Sequence, residues 1–313
     1  AFTVVHGAAA QIQLTGSTAD LASGATRVLT ATLLDAAGNT VTSDNSTVVA
    51  FAQAAGTGTV GGAGTATASG GIATKTITGA LAGSVTMEAT STGLTTGTLG
   101  AFTVVAGPAA QVELTGSAAD LTSGATRVLT ATIKDAGGNV VTADNSTVVT
   151  FSQQSGAGTV SGTGSATVSA GVASRTITGV LAGPVTMAAS ATGLTDGTLG
   201  FTVVHGAAAE VVLTGSTANL ASGATRVLTA TIRDAAGNTV TSDNSTVVAF
   251  AQAAGAGTVS GSGNATASSG VASKTITGQL VGSVTMEATA TGLTTGTLGA
   301  FTVVHGAAAQ IAL

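Results

Sequence analysis

The chain has 313 residues, 7% of them charged and 2% aromatic, with 46 Gly, 2 Pro and no Cys. The lack of Cys excludes disulfides, thiolate metal sites and a Cys nucleophile, and a formal charge of −5 without a basic face or aromatic platforms argues against nucleic acid as a partner. Mean hydropathy is +0.54, yet no stretch reaches the roughly 18 to 20 unbroken apolar residues of a spanning helix, so no membrane span is expected in this segment.

The chain opens with AFTVVHGAAAQI at 1–12, and the same run returns at 300–311. QIQLTG at 11–16 returns as QVELTG at 111–116 and as EVVLTG at 210–215. Residues 11–110 and 210–309 agree at 82 of 100 positions. A period of about 100 residues is the size of a self-sufficient domain and longer than a solenoid unit that needs neighbours to bury its core. The expected organisation is the last strand of a preceding repeat at 1–7 and three copies of one domain at 8–107, 108–206 and 207–306. The first strand of a following repeat is expected at 307–313. The segment reads as an excerpt from a longer array.

Within each copy the strands follow in order, and exchange between copies marks the outward positions. Gln13, Glu113 and Val212 vary, so Ile12 and Leu14 should face the core. Leu34, Lys134 and Arg233 vary, which places Leu29, Ala31 and Leu33 inside at the strand period of two. Asp35–Asn39 then supplies turn residues. Ala50, Thr150 and Ala249 put Val49 and Phe51 inside, and Gly61–Gly64 is a second turn. Ile72 and Ile77 have opposite parity, and Lys75, Arg175 and Lys274 share that of Ile77, so either a bulge intervenes or both faces are covered. Glu88, Ala188 and Glu287 put Val85, Met87 and Ala89 inside. Strand 102–105 should run almost directly into 111–115, with Pro108 stiffening that joint. Seven or so short alternating strands per copy indicate an all-β chain of tandem immunoglobulin-like β-sandwich domains arranged end to end.

The run Arg27–Val41, then Val49–Phe51, Gly71–Ala73 and Ala82–Ala89, resembles the strand and turn signature of the bacterial Ig-like domains of invasin and intimin adhesins. Thr40 stands where that family often has Pro. The resemblance implies extracellular stalk domains, with receptor binding carried by a distal module, and it transfers no binding residue to this chain.

The candidate site residues are few. Asp35, Asp44, Asp135, Asp144, Asp234 and Asp243 lie in loops and could contribute oxygens to Ca²⁺, which takes six to eight; the competing reading is that each shapes its own turn. Arg27, Arg127 and Arg226 share the inward parity of Leu29, need a partner if buried, and are candidates for bridging the domain joint. Asn45, Asn145, Asn244 and Asn264 each open an N-x-S/T glycosylation pattern. His6, His205 and His305 sit at joints, but the second copy has Ala106, so no shared metal or Ser-His-Asp site is expected. No cofactor other than calcium is expected.

The function these readings favour is structural. The chain would be a segment of a long extracellular repeat protein forming a cell-surface fibre, stalk or sheath, and not an enzyme. Its partners would be copies of itself, end to end and side by side, with glycans as further candidates. Adhesin repeats that bind a glycan or a host protein are the alternative. The scarcity of charge is unusual for an isolated soluble domain and points to a surface covered by more of itself.

Overall fold

The computed structural model describes residues 1–307 and contains only strands and loops among them. The first copy holds nine strands: β1 (Ala9–Thr15), β2 (Leu21–Ala22), β3 (Thr26–Asp35), β4 (Val48–Ala55), β5 (Val60–Gly61), β6 (Gly64–Thr67), β7 (Ile72–Gly79), β8 (Gly83–Thr90) and β9 (Gly97–Val105). They form a four-stranded sheet in the order β1-β3-β7-β5 and a five-stranded sheet in the order β2-β9-β8-β4-β6. The same set recurs between Ala109 and Val204 and between Ala208 and Val304. The chain is thus all-β, with three tandem Ig-like β-sandwiches.

The alternation read from the sequence is what closes each sandwich. Ile12, Leu14, Leu29, Ala31, Leu33, Val49, Phe51, Val85, Met87 and Ala89 are all buried. With two Phe per copy as the largest core groups, small aliphatic side chains fill the space between the sheets. Most pairings are antiparallel. The exception is β2, which lies parallel to β9 because the chain switches sheets after β1.

The strand around Ile72 needs neither device offered above. Its pairing with β3 runs without a shift from Thr32–Ile72 to Thr26–Thr78. Ile72 faces out and is 43% exposed, while Ala73 and Ile77 are buried. Lys75 shares the inward parity but lies where the two sheets meet, and its Nζ donates to the Thr65 carbonyl of β6 at 3.2 Å. Arg175 does the same work with three donors, to the carbonyls of Gly162, Thr163 and Ser165.

Residues 1–7 form no strand. Their counterparts Ala101–Val105 are ordered by pairing with β8, a pairing that residues 1–7 do not make in this structure. Phe2, Val4 and Val5 are accordingly exposed, Phe2 at 91%. The strand expected at 307–313 lies, after Ala307, outside the described residues.

Candidate functional site at the domain joint

The sequence places an Asp-x-x-Gly-Asn turn after β3 in every copy. Asp35 Oδ1 accepts from the backbone N–H groups of Ala37 (3.0 Å) and Asn39 (2.8 Å), which closes the turn. Gly38 sits at φ 89°, a conformation costly for residues with a Cβ. The second carboxylate oxygen reaches outside the turn and accepts from Gly7 N–H at 2.8 Å, in the segment leading into β1. Asp135 and Asp234 hold Gly107 and Gly206 in the same way, at 2.8 and 2.7 Å.

The Asn that ends the turn carries the contact between domains. Asn139 Nδ2 donates to the Ala80 carbonyl at 2.8 Å, and Asn139 Oδ1 accepts from Ala82 N–H at 2.8 Å. Both groups belong to the loop between β7 and β8 of the preceding domain. The other Nδ2 hydrogen goes to the Asp135 carboxylate, with contacts at 3.0 and 3.2 Å. The amide is thus fully used and buried, at 4% exposure. Asn238 repeats the arrangement on Val180 and Ala182, at 2.8 and 2.7 Å, and adds a bond to Ser123 Oγ at 3.2 Å.

The loop it grips is prepared from within its own domain. The Thr59 carbonyl accepts from Ala80 N–H, Thr59 Oγ1 accepts from Leu81 N–H, and Thr59 N–H donates to the Leu81 carbonyl. That leaves the Ala80 carbonyl and Ala82 N–H pointing at the next domain, where Asn139 satisfies them. The connecting backbone also runs close. A Cβ on Gly107 would stand 2.7 Å from the Ser23 carbonyl of the preceding domain, so a larger residue would force the joint apart.

This network fixes the charge of the carboxylates. The Gly7 N–H, the Asn39 amide and the Asn39 N–H hold Asp35 down at about 2. Burial alone would raise Asp234, but the Asn238 side chain and the N–H groups of Gly206, Asn238 and Ala236 outweigh it and bring that group also to about 2. Asp135 is lowered by the same balance, with burial opposed by Asn139, Gly107 and the Ser23 hydroxyl across the joint.

The other sequence candidates fall elsewhere. Asp44 accepts from Ser46 N–H, Thr47 N–H and Thr47 Oγ1, and Asp243 has the same three kinds of donor. Asp144 accepts from Ser146 and Thr147 N–H. All six Asp candidates thus accept hydrogen bonds from donors in their own loops. Among the described residues no three His, Asp or Glu gather as ligands. In this structure the six carboxylates close their own turns.

Arg27, Arg127 and Arg226 do not cross the joint, which corrects the sequence expectation. Each lays its guanidinium over a Phe of its own domain, 4.6 Å from the Phe102 and Phe201 ring centres and 4.5 Å from that of Phe301. Each also donates to two loop carbonyls of its own domain, such as Ala119 and Asp120 for Arg127. Inward parity was satisfied by an aromatic face and backbone oxygens, not by a carboxylate.

Three of the four glycosylation candidates are occupied as structural links. Asn45 Oδ1 accepts from Gly70 N–H, Asn145 Oδ1 from Ala170 N–H and Asn244 Oδ1 from Ser269 N–H, all at 2.8 Å. Asn264 is exposed on the short strand equivalent to β6. His6 and His205 each bond the carbonyl of the following Gly, and His6 Nε2 also accepts from Ser43 N–H.

No protein-family model and no curated protein sequence matches the chain. Solved structures do. The Escherichia coli adhesin FdeC is matched with 24% identity over 96% of this chain and 100% of that one, at a TM-score of 0.42. Invasin, a bacterial integrin-binding protein, is matched with 18% identity over 94% of this chain and 60% of that one, at 0.36. Domains 4–9 of the surface layer protein SbsC are matched with 19% identity over 96% of this chain and 48% of that one, at 0.27. These solved structures include adhesins and a surface layer protein; the Ig-like architecture of this chain stands on the strand order and core described above.

Proposed function

We propose that the chain is a structural segment of a long extracellular repeat protein, a stalk or fibre at a cell surface, in which Ig-like domains stand end to end and are held against free rotation. The observation that carries this reading is the Asp–Asn clasp. One buried amide binds the backbone of the preceding domain on both a donor and an acceptor, while the adjacent carboxylate binds the connecting segment. A joint of three residues, Ala106–Pro108, between consecutive strands gives such a clasp little slack to work against. Sparse charge and the adhesin-like signature supply the surface setting.

Small-angle scattering of the intact chain tests the stiffness. Strands of this length give about 30 Å per domain, so an extended particle on the order of 100 Å is expected. Asn139→Ala with Asn238→Ala should broaden the distance distribution and shorten its maximum. A compact wild-type particle, or no response to the double substitution, would sink the reading. Antibody labelling of intact cells tests the location, and label confined to the interior would remove the surface assignment.

A further inference from the structure

The two outward faces of each sandwich are not alike. On the four-stranded sheet the first copy presents rows such as Gln13–Thr32–Ile72 and Thr15–Thr30–Thr74, with Val28 opposite Thr76. No charged residue shares that outward parity in β1, β3 or β7 of the first copy. In the second copy the same face carries Glu113 and Lys134, which bond each other at 2.7 Å. In the third it carries Glu210 and Arg233, which are direct partners in the strand register. The face is therefore neutral in all three domains, and the whole net charge of −5 lies elsewhere. The outward face of the five-stranded sheet carries Glu88 and Glu287. Two copies meeting through that face bring like charges together; two meeting through the four-stranded sheet do not.

The neutral face is also apolar at the same point in every domain. Val28, Val128 and Val227 are 55%, 57% and 57% exposed near the start of their strands; the five-stranded sheet exposes Val48, Val148 and Val247 similarly, so charge is what separates the two faces. We propose that the outward face of the four-stranded sheet is a lateral contact surface for a second copy of this chain. Area decides how it would work. A ten-residue strand and its two neighbours span about 33 by 15 Å, on the order of 500 Å² per domain. A stable interface needs about 800 Å² from each partner. One domain falls short, so a stable contact needs the faces of at least two domains, about 1,000 Å² together, turned to the same side of a stiff array. The charge and exposure argument is independent of the stalk reading; the area argument uses the in-line arrangement.

Sedimentation velocity of the intact chain over a range of concentrations tests this. Wild type should pass from monomer to larger species as concentration rises. Thr76→Lys, Thr176→Lys and Thr275→Lys together, exposed positions opposite the three Val, should weaken association by at least about tenfold through like-charge contact. The charge-matched control, Thr103→Lys, Thr202→Lys and Thr302→Lys on the five-stranded sheet, should associate as wild type does. A wild-type chain that stays monomeric at high concentration overturns the proposal, as does a control triple that disrupts association equally or a face triple that leaves it intact. A stiff but monomeric chain would reject this contact alone and leave the stalk reading standing.

Discussion

Single residues set the local geometry here, and two kinds of them respond measurably to change. The hairpin before β7 needs a left-handed residue; the first copy uses Gly70 at φ 59°, whereas Ala170 and Ser269 hold φ 49° and 50° in the others. Left-handed backbone costs a residue with a Cβ about 1 kcal/mol or more, partly offset by the unfolded-state freedom that glycine adds. Ala170→Gly should therefore raise the stability of the second domain by up to about 1 kcal/mol in equilibrium urea unfolding, and Gly70→Ala should lower that of the first; no change in either would remove strain at this site. The turn carboxylates respond to acid. Asp234 is held at about 2, against 3.8 for the free group, so the folded joint is favoured by its full amount above about pH 4. That contribution is lost as pH falls from 3.8 towards 2, because protonation costs the carboxylate its N–H partners. Scattering profiles recorded from pH 7 downward should keep their shape to about pH 4 and lose interdomain order below it. Loss of order already at pH 5 to 6 would implicate another group. The Asp-x-x-Gly-Asn turn was legible in the sequence because Asp and Gly are restricted there by backbone chemistry. Its use as a clasp was not, since Asn139 binds main-chain atoms 57 and 59 residues away, and any residue could supply those.

At the scale of elements, β3 shows how far periodicity carries. Parity alone placed Leu29, Ala31 and Leu33 in the core and Arg27 on the same side, all correctly. It could not name the partner of Arg27, because Phe102 stands on β9 and a ring face leaves no local sequence mark beyond being one of two Phe in the copy. The exchange Lys75, Arg175, Lys274 misled for a related reason: an inward position at the junction of two sheets accepts a long cation that reaches carbonyls of the facing strand. Arg127 packed on Phe201 and bonded to two carbonyls should contribute about 1 to 3 kcal/mol, from cation–π attraction and the carbonyls it satisfies. Arg127→Ala should lower the unfolding free energy of the second domain by that amount. Arg127→Lys should recover less than half, since an ammonium cannot stack flat and donate as a fork. Full rescue by Lys would show that the charge alone matters and that the stacked geometry does not.

Across the whole molecule, the three domains differ less in sequence than in neighbours. Asn139 and Asn238 are buried against a preceding domain, while Asn39, in the same turn with the same Asp, is exposed. The identical residue in the identical turn thus bridges a joint where a domain packs against it, as at Asn139 and Asn238. Coupling in such a chain runs between nearest neighbours, through about two hydrogen bonds per clasp and one per linker. Each is worth about 0.5 to 1.5 kcal/mol, and more where a buried partner is left unsatisfied. Asn139→Ala strands the Ala80 carbonyl and Ala82 N–H and removes one support of Asp135. Hydrogen exchange should then quicken at Ala82 and Gly107 by about tenfold or more, while Ala182 and Gly206 at the second joint keep wild-type rates. Asn238→Ala should do the converse, and Asn39→Ala should leave both joints unchanged. Faster exchange at the distant joint would mean that the array responds as one cooperative body. Rates unchanged at Ala82 would mean that contact area, and not the amide clasp, holds the domains in line. Independent joints would let an array lengthen by whole domains without altering the stiffness of those already in place.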